Sequence, residues 1–95
     1  MVSILSEDDI RFVKMCKALG NPVRFRIIEE LERCQPCMCR NIVAKTVLAQ
    51  STVSQHLKVL RDAGIVRGYE DGSSVCYCLD RDGLSWFKQW VADRL

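Results

Sequence analysis

The chain has 95 residues, 48% of them hydrophobic and 27% charged, with a formal net charge of +2. That length supports one small domain, residues 1–95, without room for two separate cores, and the composition is globular rather than disordered. No apolar run approaches the roughly 18 residues of a membrane span, and so small a net charge does not by itself point to nucleic acid.

Ser6-Glu-Asp-Asp9 predicts a helix start, with a capping hydroxyl followed by acids that suit the positive end of the helix. The helix should run to about Leu19. Ile10 with Val13 lies on one side, and Phe12, Met15, Cys16 and Leu19 on another, so it has two surfaces to pack against. Gly20 stops it. Asn21-Pro22 restarts a second helix, near Pro22 to Arg33, with Phe25, Ile28 and Leu31 as its expected buried residues. Pro36 falls in the following break. A third short helix is expected at about Arg40 to Leu48, with Ala49-Gln50-Ser51 turning into a fourth that Gly64 ends. Ile65 to Leu79 alternates like a hairpin, with Asp71-Gly72 at its turn. The tail, about Gly83 to Leu95, reads as a last helix whose Leu84, Trp86, Phe87, Trp90, Val91 and Leu95 spread over more than half its circumference. The expected fold class is therefore mostly α with a β-hairpin wing (α+β). The order is helix, helix, helix, helix, hairpin, helix, a winged helix-turn-helix layout.

At 100° per residue, Val53, Leu57 and Leu60 share one side of the fourth helix. Ser51, Gln55 and Lys58 point the other way, flanked by Ser54 and Arg61 on one side and Thr52 on the other. Hydroxyl, amide and ammonium groups are what base edges and phosphates need: Gln pairs with adenine, Ser and Thr with several groups, and Lys with phosphate or guanine. The candidate DNA contacts are Gln50, Ser51, Thr52, Ser54, Gln55 and Lys58, with Arg67 near the hairpin start for phosphate. On face composition alone, an ordinary solvated face is the better reading. His56 falls near the apolar side, where a packed, hydrogen-bonded role is expected. Glu70 and Asp71 at the hairpin tip would repel a phosphate backbone.

Leu19-Gly-Asn-Pro-Val-Arg-Phe-Arg-Ile-Ile28 resembles the opening L-x-[DN]-P-x-R-x-x-I of the ArsR/SmtB metal-responsive repressors. Ser51 to Val66 is similar to the recognition-helix signature of that family, and Gly72 to Leu79 to its wing. The resemblance covers about residues 10 to 82. It implies operator binding through the fourth helix, and a homodimer through the first and last helices on a palindromic double-stranded site, with half-sites about one helical turn apart.

Six cysteines are many for this length. An even count raises a disulfide framework, but the start Met1-Val-Ser-Ile-Leu has no secretory leader, which argues for the cytoplasm and for metal or redox chemistry. Cys34, Cys37 and Cys39 form a C-x2-C-x-C group, expected to straddle the turn between the second and third helices. Three soft thiolates without a fourth ligand suit As(III) or Sb(III); Cd(II), Pb(II) and Zn(II) are the alternatives, zinc wanting a further ligand. Arg33 and Arg40 favour thiolate over thiol. The resemblance implies the arsenic-sensing branch, where a Cys-x-Cys pair like Cys37-Met-Cys39 holds the metalloid with one more cysteine. Here that third cysteine precedes the pair. The zinc site some relatives carry on the last helix needs histidine, and this tail has none.

Cys76 and Cys78 share one side of a strand with Tyr77 on the other; they read as fillers of the wing's inner face or as an accessory thiol pair. Cys16 reads as core or dimer packing, or as an accessory ligand. With one histidine and no acid-base constellation, no enzyme is expected. The leading reading is a homodimeric repressor released from its operator by a thiophilic ion. The rivals are a redox or reactive-sulfur repressor using two of these cysteines, and a thiol or metal module without DNA binding.

Overall fold

Ser6 begins the fold. Its hydroxyl accepts the Asp9 backbone N–H at 3.0 Å, while the Asp9 carboxylate accepts the Ser6 N–H at 3.0 Å. This reciprocal cap opens α1 (Glu7–Leu19). The backbone hydrogen bond from Ser6, and after it the Ser6 hydroxyl, hold the Asp9 carboxyl below its ordinary value; Arg94 adds a weaker pull, and burial opposes them. The Gly20 N–H closes the helix on the Cys16 and Lys17 carbonyls at 3.0 and 3.2 Å. Helix α2 (Pro22–Arg33) follows at once, because the Asn21 side-chain oxygen accepts the Val23 and Arg24 N–H groups at 2.9 and 3.1 Å.

This computed structural model describes residues 4–33, 38–39, 50–71 and 74–95. After α2 come β1 (Met38–Cys39), α3 (Gln50–Asp62), β2 (Val66–Asp71), β3 (Ser74–Leu79) and α4 (Arg81–Arg94). The expected short helix at about 40–48 lies outside the described residues. The three strands form one antiparallel sheet in the order β1-β3-β2, so the wing is a hairpin with a third strand laid on its far edge. Its registers run Val66↔Leu79 to Asp71↔Ser74 on one side of β3, and Met38↔Tyr77 with Cys39↔Cys76 on the other.

The core is drawn from every layer. Met15 and Ala18 of α1, Ile27 and Leu31 of α2, and Val53, Leu57 and Leu60 of α3 close over Ala63, Ile65, Val66 and Leu79. Each of the larger side chains contributes about 1.5–3 kcal/mol on burial. Two expectations on α1 and α2 need correction. Phe25 is exposed, while Ile27 is buried and Ile28 only half-buried. The inward row of α2 is Val23, Ile27 and Leu31, at i, i+4 and i+8, which leaves Phe25 some 200° from Val23 and outside the core. Cys16 is likewise exposed, and its neighbour Met15 takes the core position.

Gly64 ends the α3 turn at φ +83°, a left-handed conformation that suits glycine. The chain then enters β2, and the hairpin returns to Asp80, whose N–H donates to the Ile65 carbonyl at 2.8 Å. Asp80 caps α4 by accepting the Gly83 N–H at 2.9 Å, so α4 starts two residues before the expected Gly83. Phe12 of α1 then stacks on Phe87 and meets Trp90 at centroid distances of 5.3 and 5.4 Å, with Trp86 on Trp90 at 5.0 Å. Arg11 and Arg94 lie over Trp86 and Trp90 at 4.0 and 4.2 Å. Aromatic contacts of this kind contribute about 0.5–1.5 kcal/mol each beyond burial and fix the last helix against the first.

Candidate nucleic-acid interface and cysteine sites

Helix α3 is anchored by one side and open on the other. Val53, Leu57 and Leu60 are at most 4% exposed, whereas Ser51, Ser54, Gln55, Lys58 and Arg61 are exposed and Thr52 is half-buried. Gln50 is the first residue of the helix. The helix thus presents hydroxyl, amide and cationic groups from a face whose back is locked into the core, so their positions are set by packing rather than by loop conformation.

Arg24 fixes the helix from behind. Its Nε donates to the Ala18 carbonyl at 2.7 Å, its Nη2 to the Lys17 carbonyl at 3.3 Å, and its Nη1 lies 3.4 Å from His56 Nδ1. One guanidinium therefore joins the C-terminal end of α1 to the middle of α3, and cations suit that end of a helix. His56 is half-buried at this junction and is a packing residue of α3 rather than part of its open face. The arginine was visible in the sequence only as part of the Asn-Pro-x-Arg motif; its bridging role requires the tertiary fold.

Arg67 is exposed, but it faces α4. Its guanidinium lies 3.4 Å from an Asp80 oxygen and 3.5 Å from an Asp82 oxygen. Exposed pairs of this kind contribute only about 0–1 kcal/mol, so a phosphate could compete for the arginine. Neither acid has a local signature as a partner of Arg67, because Asp80 is the cap and Asp82 the first turn of the next helix.

The cysteines fall differently from expectation. Cys34 and Cys37 lie outside the described residues, and Cys39, in the connection that follows α2, belongs to β1 on the edge of the wing sheet. On β3, Tyr77 packs against the core and Leu79 is part of it, which leaves Cys76 and Cys78 on the opposite face of the strand. They do not fill the inner face of the wing, because alternation gives that face to the tyrosine and leucine. Cys76 is buried, Cys78 half-buried with its Sγ 3.5 Å from the Tyr69 hydroxyl, and both are disulfide-bonded rather than free thiols. Cys16 is a free thiol on α1. Among the described residues no three His, Cys, Asp or Glu side chains gather as a metal site, and no helix is long and apolar enough to cross a membrane.

The comparisons with known proteins agree with this architecture. Residues 21–67, from the Asn21 cap through α3 to the first strand of the hairpin, match the bacterial regulatory protein arsR family. The HTH-type transcriptional repressor SmtB of Mycobacterium tuberculosis is 39% identical over 66 residues, 70% of this chain and 48% of that protein. The chain thus spans about half the length of that relative. A crystal structure of a "possible transcriptional regulator for arsenical resistance" superposes with a TM-score of 0.73 at 28% identity, over 84% of this chain and 81% of the other. The solution structure of a homodimeric winged helix-turn-helix DNA-binding domain from Mycobacterium bovis gives 0.72 at 25% identity, over 94% and 88%. These relatives are transcriptional regulators and not enzymes. With its capped Asn-Pro helix, two-faced α3 and winged sheet, the chain belongs to the ArsR/SmtB family of helix-turn-helix transcriptional regulators.

Proposed function

We propose that the chain is a homodimeric cytoplasmic repressor that binds a palindromic operator through α3 and is released when a thiophilic ion, As(III) or Sb(III) first among candidates, is captured by Cys34, Cys37 and Cys39. The observation that carries the DNA half is the exposed Ser51, Ser54, Gln55 and Lys58 on a helix whose other face is sealed in the core. Thr52, Gln50 and Arg67 complete the contact set, the last on phosphate. Support for a homodimer comes from the homodimeric relative and from the apolar residues Ile10 and Val13 left exposed on α1.

The ion half is supported by donor chemistry. Three thiolates satisfy a trivalent metalloid whose lone pair occupies the fourth direction, whereas Zn(II) prefers four ligands and Cd(II) and Pb(II) are soft alternatives. The arsenical-resistance relative supports the same choice. The segment from Cys34 to Cys39 runs directly after α2, which packs on α3, so a change of its shape reaches the DNA-facing helix through one contact. Release requires only that the ion prefer the low-affinity state by about 1–3 kcal/mol.

A second reading is favoured by the disulfide-bonded state of Cys76 and Cys78: a redox or reactive-sulfur repressor of the same fold. Fluorescence anisotropy of labelled promoter DNA with reduced protein separates the two. Arsenite or antimonite should release the DNA, and Cys37→Ser should abolish that release. Release by oxidant or persulfide donor alone would select the redox reading. Failure to bind promoter DNA under every condition would leave a thiol module.

A further inference from the structure

Where α1, α2 and α3 meet, the surface is hollowed into an open cleft of about 230 Å³. Ala18 and Ala63, both buried, form its floor, and their single methyl groups leave the space unfilled. Lys14 and Lys17 of α1 and Arg24 of α2 line it, with Val59 and Asp62 contributed by α3. Three cations therefore share the cleft with one carboxylate. Arg24 is held in place by its bonds to the Ala18 and Lys17 carbonyls and to His56, which leave part of its five-donor fork unengaged.

The two lysines lack the partners that other basic residues have. Arg26, Arg33, Arg67, Arg81 and Arg94 each meet a carboxylate, whereas among the described residues Lys14 and Lys17 meet none. Three residues apart on α1, they are neighbours on its surface, and like charges at that spacing repel. The negative end of α1 accounts for Arg24 and for Lys17 in the last turn. It does not account for Lys14, because the attraction fades within that turn. The cleft also has a defined place beside α3. Val59 and Asp62 follow Gln55 by four and seven residues, so the cleft borders the exposed face of that helix along one flank. A helix about 10–12 Å across fills a major groove about 12 Å wide, so groups on its flank meet the phosphates that wall the groove.

We propose that this cleft is a phosphate clamp: Lys14 and Lys17, backed by Arg24, hold a backbone phosphate of the duplex that α3 reads. The proposal rests on operator binding through α3. Asp62 offsets one of the three positive charges and leaves a net attraction for a phosphate oxyanion. Such a contact carries no base sequence, so the clamp fixes register and orientation while the side chains of α3 read base edges.

The test compares full-length wild type with the double variant Lys14→Gln, Lys17→Gln, by fluorescence anisotropy on promoter DNA and on an unrelated duplex across a salt series. Both lysines are exposed, so the thermal midpoint should not change. Binding to both duplexes should weaken by the same factor, at least about tenfold near 0.1 M salt. The slope of log affinity against log salt should become shallower by about 1 for each lysine removed from a bound subunit. Lys88→Gln, exposed on α4 outside the cleft, should leave affinity and slope unchanged. Ethylation interference then locates the contact: a phosphate whose ethylation weakens wild-type binding should cease to matter to the double variant. Unchanged affinity and slope, a loss confined to promoter DNA, an equal loss for Lys88→Gln, or an identical interference pattern would each overturn the clamp alone. A free phosphate ion as the true occupant would also overturn it. Inorganic phosphate would then raise the thermal midpoint of wild type, but not of the double variant, above chloride at equal ionic strength, with DNA binding the same for both. A wild-type chain that binds no duplex would overturn operator binding and the clamp together.

Discussion

Gly83 shows how a single missing side chain holds two elements together. A Cβ built there would collide with the backbone carbonyl of Gly64, a group that cannot swing away because Gly64 closes the α3 turn at positive φ. Gly83→Ala should therefore push α4 off the turn and lower stability by about 1–3 kcal/mol, read as a lower midpoint in urea at unchanged slope. The sequence marked Gly83 only as a helix start, since a close approach between residues 64 and 83 has no local signature. Ser6 and Asp9 are the opposite case: cap and acid lie three residues apart, and their spacing alone predicted the helix they open. The depressed carboxyl of Asp9 gives this cap a pH dependence. Its contribution is full above the unfolded value near 3.8 and disappears as pH falls through the lower folded value. Asp9→Asn should thus lower the thermal midpoint at neutral pH, and its difference from wild type should vanish in acid below the folded value. A difference that persists unchanged there would assign the loss to packing instead.

At the scale of the element, α3 was the most legible part of the chain and β1 the least. The 3.6-residue period separates Val53, Leu57 and Leu60 from Ser51, Gln55 and Lys58 without reference to any neighbour, and the burial of the first three follows it. A two-residue strand has no period at all. Met38 and Cys39 are a strand only because β3 passes beside them, and β3 lies almost 40 residues later in the chain. The cysteine group is expected at the turn after the second helix, and nothing local to Cys39 announces that it lies there in a strand. The two faces of α3 should also separate under mutation. Leu57→Ala removes a buried side chain and should cost about 2–5 kcal/mol of stability. Gln55→Ala and Lys58→Ala should leave stability within about 0.5 kcal/mol. On the proposed reading, Lys58→Ala weakens DNA binding on all sequences and lowers the salt slope by about 1, whereas Gln55→Ala costs about 1–3 kcal/mol on the operator alone. Equal binding by both variants and wild type would return that face to the solvent.

For the whole molecule, what the aromatic cluster leaves uncovered matters most. Phe12 is used within the chain, against Phe87 and Trp90, so the first and last helices are already partners before any second copy arrives. The breadth of the apolar surface on the last helix, legible in the sequence, is thus partly explained by one subunit. The remaining side of α1, Ile10 and Val13, stays exposed at 50% and 44%, beside a core too small to cover it. If that side is the seat of the second copy, Val13→Glu buries an unpaired carboxylate in the interface, which costs several kcal/mol there and little in a single chain whose Val13 is already half in water. The dimer should weaken by at least about 100-fold, measured by sedimentation equilibrium, while the circular dichroism spectrum is retained. Operator affinity should fall with it, because one α3 then reaches only one half-site. A Val13→Glu protein that still sediments as a tight dimer would move the interface to another surface, and the two exposed residues of α1 would need a different partner.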